Sequence, residues 1–483
     1  MNAQIRKLGI VLMVLFSALF VQLNYLQVIK ANDLNNHPAN SRAVVRDFSR
    51  PRGVIQTSDG AVIAQSVPSG NAFKLQRQYP LGPMFAHLTG YFSFTYGSEG
   101  VEKEYNDALT GKISQNSFNP RDLLVDRDKT GNVTLTVSRR LQEIATQQLG
   151  DRKGSVVALD PRSGAILALA DYPTYDPNTL ASHNQQAVRE AWAGLNTDPD
   201  KPLLPRTYRE RYPPGSSFKV VTAATALATG TASPTQPSYP TLRELPLPNA
   251  GGQTLANFGG GTCGGPLPEA LRVSCNTAFA QLGLDLGAQK LSAGTEAFGF
   301  NKVPPIDLPY AASSYFPPAS DFSRDQPGLA KSAIGQQDVS ATPMQMALVA
   351  AGIANNGVIM TPHVLGEVRN AEGEVLERYE PKPWLTAVPP NVAQQTRDMM
   401  VGVVAAGSGT RAQIPGVAVA GKTGTAQTGL NKSHVWFIAF APAEAPQVAV
   451  AVMLEDQPST TEATGGALAA PIAQAVMRAA LAS

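Results

Sequence analysis

Ser216 and Lys219 lie three residues apart in Tyr212-Pro213-Pro214-Gly215-Ser216-Ser217-Phe218-Lys219, the spacing that sets a hydroxyl and an amine on one face of a helix. A nucleophile and a base so placed can share a proton, as serine acyl transfer requires. The flanks predict the helix: two prolines and a glycine stop any earlier one, and the Ala-rich run from Phe218 to Ala228 begins another that Thr229-Gly230 closes. Ser216 is thereby expected at a helix N-terminus, where free N–H groups and the positive dipole end stabilise an oxyanion. Taken alone, the tetrapeptide reads more readily as a capping serine with a solvated lysine.

Order along the chain narrows the choice. Ser274-Cys275-Asn276 begins 55 residues after Lys219, and Lys422-Thr423-Gly424-Thr425 begins 148 residues after Ser274. The second Lys-Thr-Gly, at Lys129-Thr130-Gly131, sits in a charged turn and reads as a hairpin loop. The copy at Lys422 follows the apolar, strand-like run Val417-Ala418-Val419-Ala420, so an exposed amine and hydroxyl there are expected to bind a carboxylate. Three elements in this order, S-x-x-K, S-x-N and K-T-G, are those of serine acyltransferases and β-lactamases.

Competing motifs fail on context. Gly416 to Thr423 satisfies the P-loop pattern, but strand formers fill the place of a glycine-rich cradle, and Gly424, Thr425, Gln427, Thr428 and Gly429 follow where a helix should begin. Gly259-x-Gly261-x-x-Gly264 has no strand before it and no helix opening within it, so it reads as a flexible loop. The five histidines show no paired spacing, which argues against zinc, and no G-x-S-x-G elbow marks an α/β-hydrolase.

The elements that must position these residues fill a chain of 483, long enough for more than one domain. The net charge of +2 and the absence of a Lys/Arg stripe exclude a nucleic-acid signature. Leu8 to Val28 is a nearly continuous apolar stretch of 21 residues, about 32 Å of helix, enough to span a bilayer. A cleaved signal peptide competes with that anchor, although the nearest small-x-small pair, Ala39-x-Ser41, lies well downstream. Ser58-Asp59-Gly60 predicts a hairpin; a short helix is expected within Gly97–Leu109, a strand over Asn132–Val137 and a helix over Arg139–Leu149. A second hairpin is expected from Gly154–Leu159 and Ala165–Ala170, with strands over Val435–Phe440 and Val448–Leu454 and a terminal helix over Ala467–Leu481. These give an α/β (α+β) domain whose sheet is made from both ends of the region with helices between. The two cysteines, Cys263 and Cys275, read as buried thiols in a reducing compartment or as a disulfide outside it.

With these motifs the chain resembles a class B penicillin-binding protein over nearly its whole length. Arg52-Gly53-x-Ile55 and Gly97-x-x-Gly100-Val101-Glu102-x-x-Tyr105-Asn106 are similar to the family's N-terminal pedestal. Tyr172-Pro173-x-Tyr175-Asp176-Pro177-Asn178, Ala333-Ile334-Gly335-Gln336-Gln337, Thr342-Pro343-Met344-Gln345-Met346-Ala347 and Ala441-Pro442 resemble landmarks of its transpeptidase domain. The resemblance implies a β-lactamase-like transpeptidase fold, an antiparallel sheet flanked by helices, over 150–483. It further implies an elongated pedestal over 29–149, an anchor over 8–28 and a cytoplasmic tail over 1–7, with the catalytic domain outside the cell membrane. It implies a peptidoglycan D,D-transpeptidase that needs no cofactor or metal: Ser216 attacks between two terminal D-alanines and Lys219 takes its proton. Ser274 then shuttles a proton, Asn276 ligates Lys219 and the substrate amide, and Lys422, Thr423, Gly424 and Thr425 bind the carboxylate. The N–H groups of Ser216 and Thr425 would form the oxyanion hole. β-Lactams would acylate Ser216, and a Cys263–Cys275 disulfide would brace the middle motif, where Cys275 is unusual. Implied partners are stem peptides ending in D-Ala-D-Ala, a membrane glycosyltransferase and proteins of division or elongation. A β-lactamase or D,D-carboxypeptidase of the same fold and a wall-assembly scaffold remain alternatives.

Overall fold

A computed structural model describes residues 2–30, 48–71, 73–112, 130–429, 431–460 and 462–482. Lys129 and the Ala39–Ser41 segment lie outside them. The described chain divides into two compact units, residues up to 51 with 67–76, and 52–66 with 77 onward.

The first unit contains the helix Asn2–Asn24, which continues as a wider turn over Tyr25–Ile29. Gln4–Val28 has a mean hydropathy of 2.0 and none of it is buried, as expected of a helix whose apolar surface faces lipid. By length and composition it can cross a membrane.

The second unit is built on a five-stranded antiparallel sheet in the order Ala420–Gly429, Lys432–Ala441, Val448–Pro458, Gly154–Leu159, Ile166–Tyr172. Both ends of the region supply strands, as the sequence predicts. Alternation assigns each strand two faces. Val156, Ala158, Val435, Phe437, Val450 and Val452 pack on one side with Ala473, Val476 and Met477 of the terminal helix Ala470–Leu481, and with Leu141 and Ala145 of Arg139–Leu149. Val157, Leu159, Trp436, Ile438, Ala451 and Met453 face the other way. There the fully buried helix Pro343–Ala354 and the nearly fully buried helix Lys219–Ala228 complete the core.

The first strand departs from expectation. The run from Val417 does not extend it; Ile414 and Val417 close a tight turn through Gly416, at φ 76°, and the strand starts at Ala420.

The Ser58-Asp59-Gly60 hairpin forms, pairing Ile55–Gln56 with Val62–Pro68. Ile55–Gln56 also runs parallel to Asn132–Leu135, which pairs in turn with Leu365–Arg369, and that with Val375–Arg378. This sheet therefore takes two strands from far beyond residue 150. Beside it Glu102, fully buried, receives Arg52 Nε and Arg77 Nε, each at 2.6 Å, and Arg52 Nη1 reaches Asn106 Oδ1 at 2.8 Å. The residues of the pedestal-like motif are thus an internal ion cluster.

Candidate active site

Gly215–Phe218 forms one 3₁₀ turn and passes directly into the helix Lys219–Ala228. In the tighter turn, side chains three apart nearly eclipse, so Ser216 and Lys219 share a face. Gly335 O accepts the Gly215 N–H at 2.9 Å, Pro213 O accepts the Trp436 indole N–H at 2.9 Å, and Tyr212 OH donates to Glu455 Oε1 at 2.6 Å. Glu455 also holds Arg206 Nε at 2.7 Å. The turn is fixed from three sides.

Ser274 stands between two amines. Lys422 Nζ donates to its hydroxyl at 2.8 Å, and Lys219 Nζ donates to its carbonyl oxygen at 2.7 Å with the hydroxyl 3.4 Å away. Lys219 Nζ also donates to Asn276 Oδ1 at 2.7 Å. The backbone of Ser274 is left-handed, at φ 60°, which a non-glycine residue adopts only where its surroundings hold it. Next to it Cys275 is disulfide-bonded to Cys263, with the α-carbons 5.7 Å apart.

The sequence reading expects Lys422 to be exposed; it is fully buried, and Thr423 nearly so. Thr423 and Thr425 of the strand line the groove while Lys422 turns inward, so its amine meets Ser274, not water. Its Nζ also donates to Thr423 O at 3.0 Å, while Thr423 Oγ1 pairs with Ser408 Oγ at 2.7 Å. Thr425 lies against the nucleophile turn: a β-carbon on Gly215 would fall 2.7 Å from Thr425 O. Because Ala420–Gly429 is an edge strand, every second residue turns its N–H and C=O away from its one neighbour, toward that turn.

Burial dominates the electrostatics. It pushes Lys219 well below the ordinary lysine range, and the charge of Lys422 lowers it further; burial alone brings Lys422 down to about 7. Lys219 is thus the amine depressed by two effects, burial and an opposing charge. A neutral Lys219 has two N–H bonds, matched by Ser274 O and Asn276 Oδ1, and its lone pair is left to accept a proton. Ser216 Oγ has no hydrogen-bond partner among the described residues, so the structure juxtaposes it with Lys219 without joining them.

Two contributors escape the sequence reading. Asn257 Oδ1 accepts from the N–H groups of both Asn276 and Thr277, at 3.0 Å each, capping the helix that starts at Asn276. Its own Nδ2 donates to Leu242 O at 2.8 Å. A cap nineteen residues upstream has no local signature. Ser408 likewise reaches Thr423 from a loop with no motif of its own. Among the described residues no His, Cys, Asp or Glu cluster is suited to a metal.

Together Ser216, Ser274, Asn276, Thr423 and Thr425 line a groove of about 760 Å³. Comparison with known proteins agrees with this geometry. Residues 154–478 match the penicillin-binding protein transpeptidase domain, and residues 52–133 the dimerisation domain of penicillin-binding protein A. The chain is 41% identical to the peptidoglycan D,D-transpeptidase PbpA of Mycolicibacterium smegmatis, over 100% of this chain and 99% of that one. It is 30% identical to the D,D-transpeptidase MrdA of Acinetobacter baumannii, over 79% of this chain and 63% of that one. The ceftriaxone acyl-enzyme of penicillin-binding protein A from M. tuberculosis superposes with a TM-score of 0.83 at 39% identity, covering 90% of this chain and 100% of that one. By its matched domain, its full-length relatives and its fold, the chain belongs to the class B penicillin-binding proteins.

Proposed function

We infer that the chain is a peptidoglycan D,D-transpeptidase acting through an acyl-enzyme on Ser216. The observation that carries this is Ser274, hydrogen-bonded by Lys422 and by Lys219, with Lys219 left a free lone pair beside Ser216. Ser216 Oγ attacks the carbonyl between two terminal D-alanines of a stem peptide, and Lys219 takes its proton. As the C–N bond breaks, Ser274 relays a proton to the departing D-alanine amine. An amine of a second stem peptide then attacks the ester, the Oγ–carbon bond breaks, and Ser216 recovers its proton. Asn276 orients Lys219 and the substrate amide; Thr423, Gly424 and Thr425 hold the terminal carboxylate; the N–H groups of Ser216 and Thr425 receive the oxyanion. β-Lactams acylate the same serine.

We assign residues 8–28 to the anchor, 29–149 to the pedestal and 150–483 to catalysis, with 1–7 in the cytoplasm and the groove outside it. The disulfide supports an oxidising compartment. The pedestal is the module we assign to contacts with a glycosyltransferase and with division or elongation proteins.

Labelled benzylpenicillin tests the reading. The wild-type protein should carry one stable label and Ser216→Ala none. Labelling of both variants equally, or of neither, would sink it.

A further inference from the structure

The groove around Ser216 carries one charged side chain among its described lining residues, Lys331. The other positions are neutral, and the catalytic amines Lys219 and Lys422 lie beneath the surface, fully buried. Lys331 is half-buried and makes no ion pair and no side-chain hydrogen bond among the described residues. Its backbone is fixed nonetheless. Lys331 O accepts the N–H groups of Ile334 at 3.2 Å and Gln336 at 3.1 Å, closing the turn whose Gly335 O holds Gly215. Ile334 and Gln336 line the same groove. The scaffold of the nucleophile therefore also places on the groove wall a lysine whose amine has no partner among the described residues.

A lone cation on a groove of neutral walls asks for an anion from the substrate. The terminal carboxylate already has a place in the mechanism, at Thr423 and Thr425 with Ser408 beside them, on the edge strand and the loop before it. Lys331 belongs to a different element, at the end of the helix Gln326–Ser332, whose neighbour Ala333 packs on Gly283 and accepts a hydrogen bond from Thr222, both on helices. We propose that Lys331 is a specificity-determining residue that binds a second carboxylate of the donor stem peptide, on the acyl side of the scissile bond. Donor peptides carrying a side-chain carboxylate upstream of D-Ala-D-Ala are thereby favoured over neutral ones. The inference rests on the transpeptidase reading of the same groove.

Two penicillins that differ only in that group test it: benzylpenicillin and its α-carboxylated analogue. Their second-order acylation rate constants are measured on the full-length protein in detergent for wild type, Lys331→Gln and Lys331→Arg. The ratio of the carboxylated to the parent compound should fall about fivefold in Lys331→Gln, the scale of a partly exposed ion pair, and recover in Lys331→Arg. Raising ionic strength should compress the wild-type ratio toward that of Lys331→Gln. A ratio that stays within about twofold in Lys331→Gln overturns the proposal while leaving the acyl-enzyme intact. Failure of both penicillins to acylate the wild type removes the transpeptidase reading, and this one with it; acylation by benzylpenicillin but not by its carboxylated analogue overturns this proposal alone.

Discussion

Two buried amines share one hydroxyl, that of Ser274, and at the scale of single residues they differ in what depresses them. Lys219 is depressed by burial first and by the charge of Lys422 second, whereas Lys422 is depressed to about 7 by burial alone. A lowered amine pKa extends the neutral form to lower pH, which is the form Lys219 needs to accept a proton. Lys422, in its charged form, donates to the Ser274 hydroxyl. Acylation by benzylpenicillin should therefore rise with pH along an acid limb as Lys219 becomes a base. It should fall along an alkaline limb as Lys422 loses the charge it directs at Ser274. Stopped-flow acylation rates across pH 5 to 10 check this, and a flat profile would contradict it. Lys219→Ala should cost about 100- to 10,000-fold in that rate. The residue types and order were visible in the chain, but the burial of Lys422 was not: a run of Val and Ala before Lys-Thr-Gly does not say whether the lysine turns inward or toward the groove.

Elements position these residues through close approach. The edge strand touches the nucleophile turn at Gly424, where a β-carbon would stand 2.7 Å from Pro214 O and 3.1 Å from Ser217 N. Both neighbours are backbone, so neither can rotate aside. Gly424→Ala should push the turn from the strand and lower acylation at least tenfold, while thermal unfolding shifts by only a few degrees. Equal acylation in the variant would show that the approach is not needed. The middle motif is held from outside its own sequence, by the disulfide to Cys263 and by Asn257 capping the helix at Asn276. Helix and strand periods placed these elements within a few residues in the chain, since patterning is local. The contacts between them are not local, which is why Asn257 and Ser408 went unread.

Across the whole molecule the chain folds back on its own order. Leu365–Arg369 leaves the catalytic region to pair with Asn132–Leu135, and Tyr105 OH donates to Asp307, whose carboxylate accepts the N–H groups of Val364 and Leu365. Nearby, Glu102 balances two buried arginines. Desolvation by itself raises the Glu102 carboxyl, but the two guanidiniums outweigh it and hold the group ionised below its ordinary value. Glu102→Gln leaves two buried cations with a neutral partner and should destabilise this sheet by about 3 to 5 kcal/mol, read as a lower unfolding temperature in detergent. An unchanged unfolding temperature would mean that the cluster relaxes into water. Benzylpenicillin labelling at low temperature separates this structural loss from one at the catalytic groove.

By itself the sequence determined the candidate residues, Ser216, Lys219, Ser274, Asn276 and Lys422 in order, an apolar N-terminal span and a sheet drawn from both ends of the region that follows. Those follow from residue type, spacing and local period, which are written along the chain. Only the tertiary structure showed that both amines are buried and that the charge of Lys422 stands opposite Lys219, because burial and opposing charge arise from packing. Only it brought Asn257 and Ser408 to the site and set Lys331 as the one charged side chain among the described residues of the groove wall, because desolvation and pairing arise where distant segments meet.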